Sequence, residues 1–329
     1  ILSRIEIWVV PTHNPDGLQI VHGYEDDNLG WVQDVAYRKN LTDVNNNGVF
    51  DYVSYVMGTL NAGNDLDGVD LNRNYDFNWI FGDDIYSTDS GCGANPSYIA
   101  NYDYYRGPHP FSEQEIITIR DFALSKNFLL SIAYHSSRSG CVAEKVIYPW
   151  EWDVDKKSPD FEIISRLGHE ISLLLPKEAE SGYYAPASSV SRRGNAHDWL
   201  YSNTGCFQYL IEVGTENMQP DSAIIEDTID RNMEGVFHLM NRAFFNPYGD
   251  ADAYQVTGLV ADALTGYPIE AEVQILEMDE GMLKPHLTDE FGRYRRLLQN
   301  SIYTLEVSAK GYEKREFTGI QKKKCTNFS

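Results

Sequence analysis

Residues 112–135 read SEQEIITIRDFALSKNFLLSIAYH, and two different patterns follow one another inside this stretch. Ile116, Ile119, Phe122 and Ala123 recur at helical spacing behind Ser112, with Gln114 and Glu115 beside the start, which predicts a capped amphipathic helix. FLLSIAYH then predicts a short buried strand. Upstream, Ile5 to Val10 are β-branched and apolar and end at Pro11, the pattern of a strand in a sheet covered on both faces, with the turn HNPDG at His13 to Gly17 closing it. Downstream, Phe161, Ile164, Leu167, Ile171 and Leu174 form one stripe of a helix over Asp160 to Leu175. Cys206 to Val213 is another apolar strand, and Asp221 to Phe245 carries a third helical pattern that NPYGDAD breaks. Strands alternating with helices imply an α/β layer fold.

Between Asp26 and about Tyr105 the sequence is rich in Asn, Asp, Gly and Tyr with little helical periodicity. Such a long irregular region is where function is expected to sit. After Asp252 the texture changes to short alternating segments, VTGLV, EAEVQIL, GRYRRLL and YTLEVSAKGY, separated by turn residues, which predicts a compact all-β unit. A chain of 329 residues exceeds the usual size of one hydrophobic core, so division into residues 1–249 and a smaller unit at 252–320 is the expectation. The KKK run near the C-terminus reads as a solvated tail.

Hydrophobic residues make up 42% of the chain and aromatics 13%, a globular composition without an apolar run of the roughly 20 residues that span a bilayer. The formal net charge of −22 argues against nucleic acid or anionic lipid as partners, since both require clustered Lys and Arg to neutralise phosphate. Four cysteines, Cys92, Cys141, Cys206 and Cys325, are too few for a disulfide scaffold and form no C-x-x-C pair.

Seven separated motifs point to one chemistry: NPDG (14–17), YRKN (37–40), GVDLNRNYDFNW (68–79), SEQE (112–115), SIAYHS (131–136), DWLYSNTG (198–205) and LIEVGT (210–215). Their order is that of the zinc metallocarboxypeptidases, and over about residues 5–245 the chain resembles that family. The resemblance implies a mixed twisted sheet flanked by helices, one zinc ion, and hydrolysis of the C-terminal peptide bond of a peptide or protein. His135 matches the third zinc ligand, at the end of an apolar strand. Glu212 matches the general base and acid, in an apolar strand where burial favours a raised pKa. Asn72 and Arg73 match the pair that grips the substrate's free carboxylate, and Arg38 matches the arginine that assists and polarises the scissile carbonyl. The planar fork of arginine suits such work because it bonds both carboxylate oxygens.

For the family's mobile tyrosine, Val190 occupies the simplest alignment, and Tyr184 is the nearest candidate. In the side-chain pocket, His197 stands just before the Asp-Trp pair, and Glu151 follows Tyr148-Pro149-Trp150; with the acidic surface, Glu151 suggests a preference for basic C-terminal residues. The family's first two zinc ligands form an H-x-x-E motif lying before NPDG, and the chain begins too late to contain it, so the sequence as it stands is expected to be inactive. HGYE at His22 to Glu25 has the spacing but follows NPDG, and reads as a surface loop. A rival reading is a non-catalytic protein that binds peptide C-termini; another is a structural or adhesion module dominated by the tail.

DVNNNGVFD sets Asp43, Asn45, Asn47 and Asp51 at positions 1, 3, 5 and 9 of a calcium-type loop with Gly48 at position 6, although position 12 is Ser54. A plain Asx-rich turn is the alternative. Cys141 follows His135 by six residues and Cys206 precedes Glu212 by six, so neighbouring strands would let them pair as a disulfide and favour an exported, secreted or periplasmic protein. The tail resembles the transthyretin-like sandwich that follows the catalytic domain in one carboxypeptidase branch.

Overall fold

The computed structural model describes residues 5–27, 30–35, 37–50, 67–81, 105–136, 143–153, 156–178, 181–190, 194–214, 220–243, 254–278 and 286–321. In chain order the elements are α1 (Pro15–His22), β1 (Tyr24–Asp26), β2 (Gly30–Val32), α2 (Gln114–Leu124), β3 (Leu130–His135), β4 (Lys145–Tyr148), α3 (Phe161–Ser172), β5 (Ala185–Ser188), α4 (Ala196–Thr204), β6 (Phe207–Glu212) and α5 (Ser222–Ala243). The tail adds β7 (Gln255–Leu259), β8 (Glu272–Ile275), β9 (Arg293–Leu297), β10 (Tyr303–Ser308) and β11 (Arg315–Ile320).

A mixed four-stranded sheet, ordered β3-β6-β4-β5, organises the larger part. β3 runs parallel to β6, β4 antiparallel to β6, and β5 parallel to β4. Ile163, Ile164, Leu167 and Ile171 bury one face of α3 in the same apolar cluster as Val146, Tyr209 and Ile211 of the sheet. Each fully buried aliphatic side chain contributes about 1.5–3 kcal/mol relative to exposure, so this stripe fixes where the helix lies. Leu71, Tyr75, Ile116, Trp199 and Cys206 form a second cluster, which ties α2 and α4 to the turn at residues 71–73.

Two elements differ from expectation at the N-terminal side. Ile5 to Val10 form no strand, and Val9 is 76% exposed. An apolar extended run becomes a strand only where a neighbour takes its backbone hydrogen bonds, and no described strand pairs with this one; Trp8 instead meets Phe122 edge-on at 5.3 Å. The NPDG sequence opens a helix rather than making a turn. The Asn14 side chain accepts a hydrogen bond from Gly17 N–H at 2.9 Å and Pro15 takes the first helical position, where its missing N–H costs nothing. At α2 the N-cap position belongs to Glu113, not Ser112, and no side-chain cap is made. Both side chains are drawn into a buried polar network: Glu113 accepts from Asn40 at 2.6 Å and Thr42 at 2.5 Å, and Ser112 accepts from Asn74 at 2.8 Å.

The tail forms a three-stranded antiparallel sheet, β11-β10-β8, and a β7-β9 pair. Its Val273, Ile275, Leu297 and Leu305 belong to the same apolar cluster as α3 and the central sheet. Cys206 is a free, fully buried thiol. Because β3 and β6 are parallel, Cys206 precedes the end of β6 opposite to Glu212, whereas Cys141 follows the His135 end; the expected pair is not formed, and Cys141 itself lies outside the described residues. No helix among the described residues is long and apolar enough to cross a membrane.

Candidate active site

The parallel pairing of β3 with β6 sets His135 directly beside Glu212 at the C-terminal ends of the two strands. The carboxyl ends of parallel strands open onto the crevice outside a sheet, where side chains can project beyond the layer. Burial holds the His135 imidazole neutral, its pKa lowered to about 4, and the charges of Arg38 and Arg73 reinforce this while Asp70 opposes it. Burial acts in the other direction on Glu212, raising its carboxyl to about 7 against the pull of Arg38, Arg73 and Lys145. Both groups therefore lie in the field of the same two guanidinium groups. One oxygen of Glu212, Oε2, is buried without a hydrogen-bond partner among the described residues.

The guanidiniums are held from below. Arg38 donates to Asp70 Oδ2 at 2.8 Å, and its backbone carbonyl accepts from Asn14 Nδ2 at 3.2 Å. Asp70 Oδ1 also caps the short 3-10 turn Leu71–Arg73 by accepting from Asn72 N–H at 3.0 Å. Asn72 Oδ1 accepts from Ala196 N–H at 3.0 Å, and Arg73 Nη1 donates to Asn195 Oδ1 at 2.9 Å. The positioning residues Asp70 and Asn195 have no part in the sequence-level site; Asp70 lies inside the GVDLNRN motif, while Asn195 joins Arg73 across 122 positions with no local signal.

The remaining candidates fall differently. His197 lies in α4, is 3% exposed, and both of its ring nitrogens lack hydrogen-bond partners among the described residues. Burial, with His135 and Arg73, lowers its pKa to about 3. Tyr184 is 2% exposed within the apolar core, its hydroxyl accepting from Gly214 N–H at 3.3 Å, and Val190 is 63% exposed. Glu151 is ion-paired with Lys157 at 2.9 Å and accepts from Ser188 at 3.4 Å. In HGYE, His22 ends α1 and Tyr24 and Glu25 lie in β1.

In the 43–51 loop, Asp43 accepts from Gly48 N–H at 2.7 Å, Asn45 from Asn47 N–H at 3.0 Å, and Asn47 from Val49 N–H at 2.8 Å, as in successive Asx turns. Asp51 lies outside the described residues. Among the described residues no group of three or more His, Cys, Asp or Glu stands together for a metal. A catalytic zinc takes three protein ligands, so the single imidazole of His135 does not by itself fit a complete zinc centre.

The ends of β3 and β6 thus present a histidine and a near-neutral carboxyl, and the buttressed Arg38 and Arg73, from outside the sheet, act on both. The zinc carboxypeptidase family matches residues 1–235, and the chain belongs to it. Carboxypeptidase B of Astacus astacus is 28% identical over 246 residues, 72% of this chain and 67% of that protein. Mast cell carboxypeptidase A of Rattus norvegicus is 25% identical over 61% of this chain and 39% of its own length, so the chain spans well under half of that relative. The solved carboxypeptidase A of Helicoverpa armigera superposes with a TM-score of 0.46 at 20% identity, covering 70% of this chain and 50% of that one.

Proposed function

We propose that the chain carries the substrate-holding and proton-handling side of a zinc-dependent carboxypeptidase that removes one residue from the C-terminus of a peptide or protein. The observation that carries this reading is the in-register pair His135–Glu212 within the field of Arg38 and Arg73. Asn72 and Arg73 take the free carboxylate, and Arg38, held by Asp70, faces the scissile carbonyl. Glu212, poised near neutrality, accepts a proton from water and returns it to the leaving amine. The neutral imidazole of His135 would serve as one zinc donor.

The chain alone should bind free C-termini without hydrolysing them. Calorimetry with one peptide as free acid and as C-terminal amide should show clear preference for the acid, and Arg73→Gln should weaken acid binding about 10- to 100-fold, the worth of a charge-assisted bond, while leaving the amide unchanged. Equal binding of acid and amide by the unmodified chain sinks the reading; hydrolysis by the chain with added zinc sinks the incomplete centre. A basic preference rests on Glu151 and the acidic surface, and equal affinity for peptides ending in Arg and Phe would remove it.

Calcium in the Asp43, Asn45, Asn47 and Asp51 loop is a separate proposal, supported by the spacing of the oxygen donors and by Gly48 at φ 83°. Calcium should raise the unfolding temperature over that in chelator, because a ligand bound only to the native state stabilises it. An unchanged temperature identifies the loop as Asx turns alone. A transthyretin-like tail acting as structural support is likewise proposed, on the strength of its two small antiparallel sheets and its shared core.

A further inference from the structure

Asn195 occupies the N-cap position of α4, where an Asn side chain ordinarily accepts from the helix's own first N–H groups, yet it makes no such bond. It is turned instead toward the 3-10 turn, and Oδ1 accepts from Arg73 Nη1 at 2.9 Å, beside the Asn72 carbonyl that accepts from the same nitrogen at 2.7 Å. Its Nδ2 faces Ser189 Oγ and Asp198 Oδ2, each at 3.4 Å, and Ser189 donates to the same Asp198 oxygen at 2.9 Å. All three side chains are buried: Asn195 is 3% exposed, Ser189 4% and Asp198 0%. A guanidinium only donates and a carboxylate only accepts, so a group bonding both at once must present an acceptor on one side and a donor on the other. An amide does this; a carboxylate or a hydrocarbon does not.

A carboxylate in the position of Asn195 would also form an ion pair with Arg73 and compete with any anionic ligand for it. The amide fixes the direction of the guanidinium without setting a further carboxylate against it. We propose that Asn195, backed by Ser189 and Asp198, is a positioning residue that orients Arg73 toward the peptide's terminal carboxylate. This deepens the proposed role of Arg73 and rests on it.

The backbone around Asn195 is secured independently of its side chain. Tyr75 N–H donates to Gly194 O at 3.1 Å, Gly194 N–H to Phe77 O at 3.0 Å, and Ala196 N–H to Asn72 Oδ1 at 3.0 Å. Gly194 passes so close to the turn that a Cβ there would lie 2.2 Å from Arg73 O. Substitutions at 195 should therefore leave the two segments docked.

The test is binding of an N-acetylated tripeptide ending in Phe, as free acid and as amide, to the full chain and to Asn195→Asp and Asn195→Ala, with thermal unfolding of each. Asn195→Asp, nearly isosteric, should weaken acid binding most, by roughly 30-fold or more, and Asn195→Ala by roughly 10-fold, as expected for an interposed ion pair and a lost orienting bond, with amide binding held within about twofold. A packing role would give the reverse order, Ala worse than Asp, and equal losses for acid and amide; that result overturns the proposal. Preserved acid preference in both variants also overturns it, while leaving Arg73 as the anchor. Equal binding of acid and amide by the unmodified chain overturns the site reading and this proposal together. Should Asn195→Asp not fold, the acid-to-amide ratio of Asn195→Ala and Asn195→Ser decides alone.

Discussion

Gly205→Ala should lower the unfolding midpoint sharply, by about 10 °C for a loss of roughly 2–5 kcal/mol. Gly205 ends α4 in the left-handed region, φ 73°, with its N–H returned to Tyr201 O at 2.8 Å. A non-glycine residue there costs about 1–2 kcal/mol by itself. The larger cost is steric: a Cβ at 205 would stand 1.5 Å from Cε1 and 2.4 Å from Nδ1 of His286. His286 comes from the tail, hydrogen-bonds the Thr204 backbone at the end of the same helix, and is kept neutral by burial, its pKa lowered to about 3. The ring cannot step aside without giving up that bond. Removing it should relieve the overlap, so Gly205→Ala combined with His286→Ala should be less unstable than the two single losses summed. Additive losses, measured by chemical denaturation, would mean that the tail does not press on α4.

That contact also marks the limit of what the sequence made legible. The helices of α3 and α5 were readable because their apolar residues repeat at the helical period, and Ile164, Leu167 and Ile171 do face the core. β3 and β6 were readable as short apolar runs, but their parallel register, which sets His135 beside Glu212, is a tertiary outcome, since β4 of the same sheet runs antiparallel to β6. The Asn14-Pro15 start of α1 was misread as a turn because the same residues favour both structures, and only the continuation of the chain decides between them. Ile5 to Val10 had strand composition but lacked a described partner, a tertiary condition that no local pattern records. Tyr184 is the candidate near Val190, which holds the aligned position, whereas the place of Tyr184 in the apolar cluster follows from the packing of β4 against β5. Asn195 carries no local signal of its role, because an Asn before a helix fits a cap equally well, and the choice between capping and bonding Arg73 is made by a turn 122 residues away.

Asp160→Ala should destabilise the chain by about 3–5 kcal/mol, the usual cost of deleting one partner of a buried ion pair. Asp160 precedes α3 and does not cap it with its side chain, so the substitution spares the helix start. Its carboxylate is turned into the interior, 1% exposed, where Oδ2 accepts from Tyr201 OH at 2.8 Å and from Arg296 Nη2 at 3.4 Å. Arg296 lies on β9 of the tail and is 6% exposed. Truncating Asp160 takes the neutralising charge from a guanidinium that water does not reach, and Tyr201 loses its acceptor as well. Asp160→Leu with Arg296→Met removes both charges and fills similar volume, so it should recover most of the loss, as buried pairs replaced together by apolar groups commonly do. Tyr201→Phe should cost about 1–2 kcal/mol, since the hydroxyl donates to Asp160 Oδ2 at 2.8 Å and accepts from Asp160 N–H at 2.9 Å. If Asp160→Ala proves as mild as Tyr201→Phe in denaturant unfolding, the ion pair does not hold the tail against α3 and α4. A large single loss with recovery in the double variant makes the β-strand tail part of the same cooperative unit as the sheet that presents His135 and Glu212, because the charge that stabilises one is buried by the other.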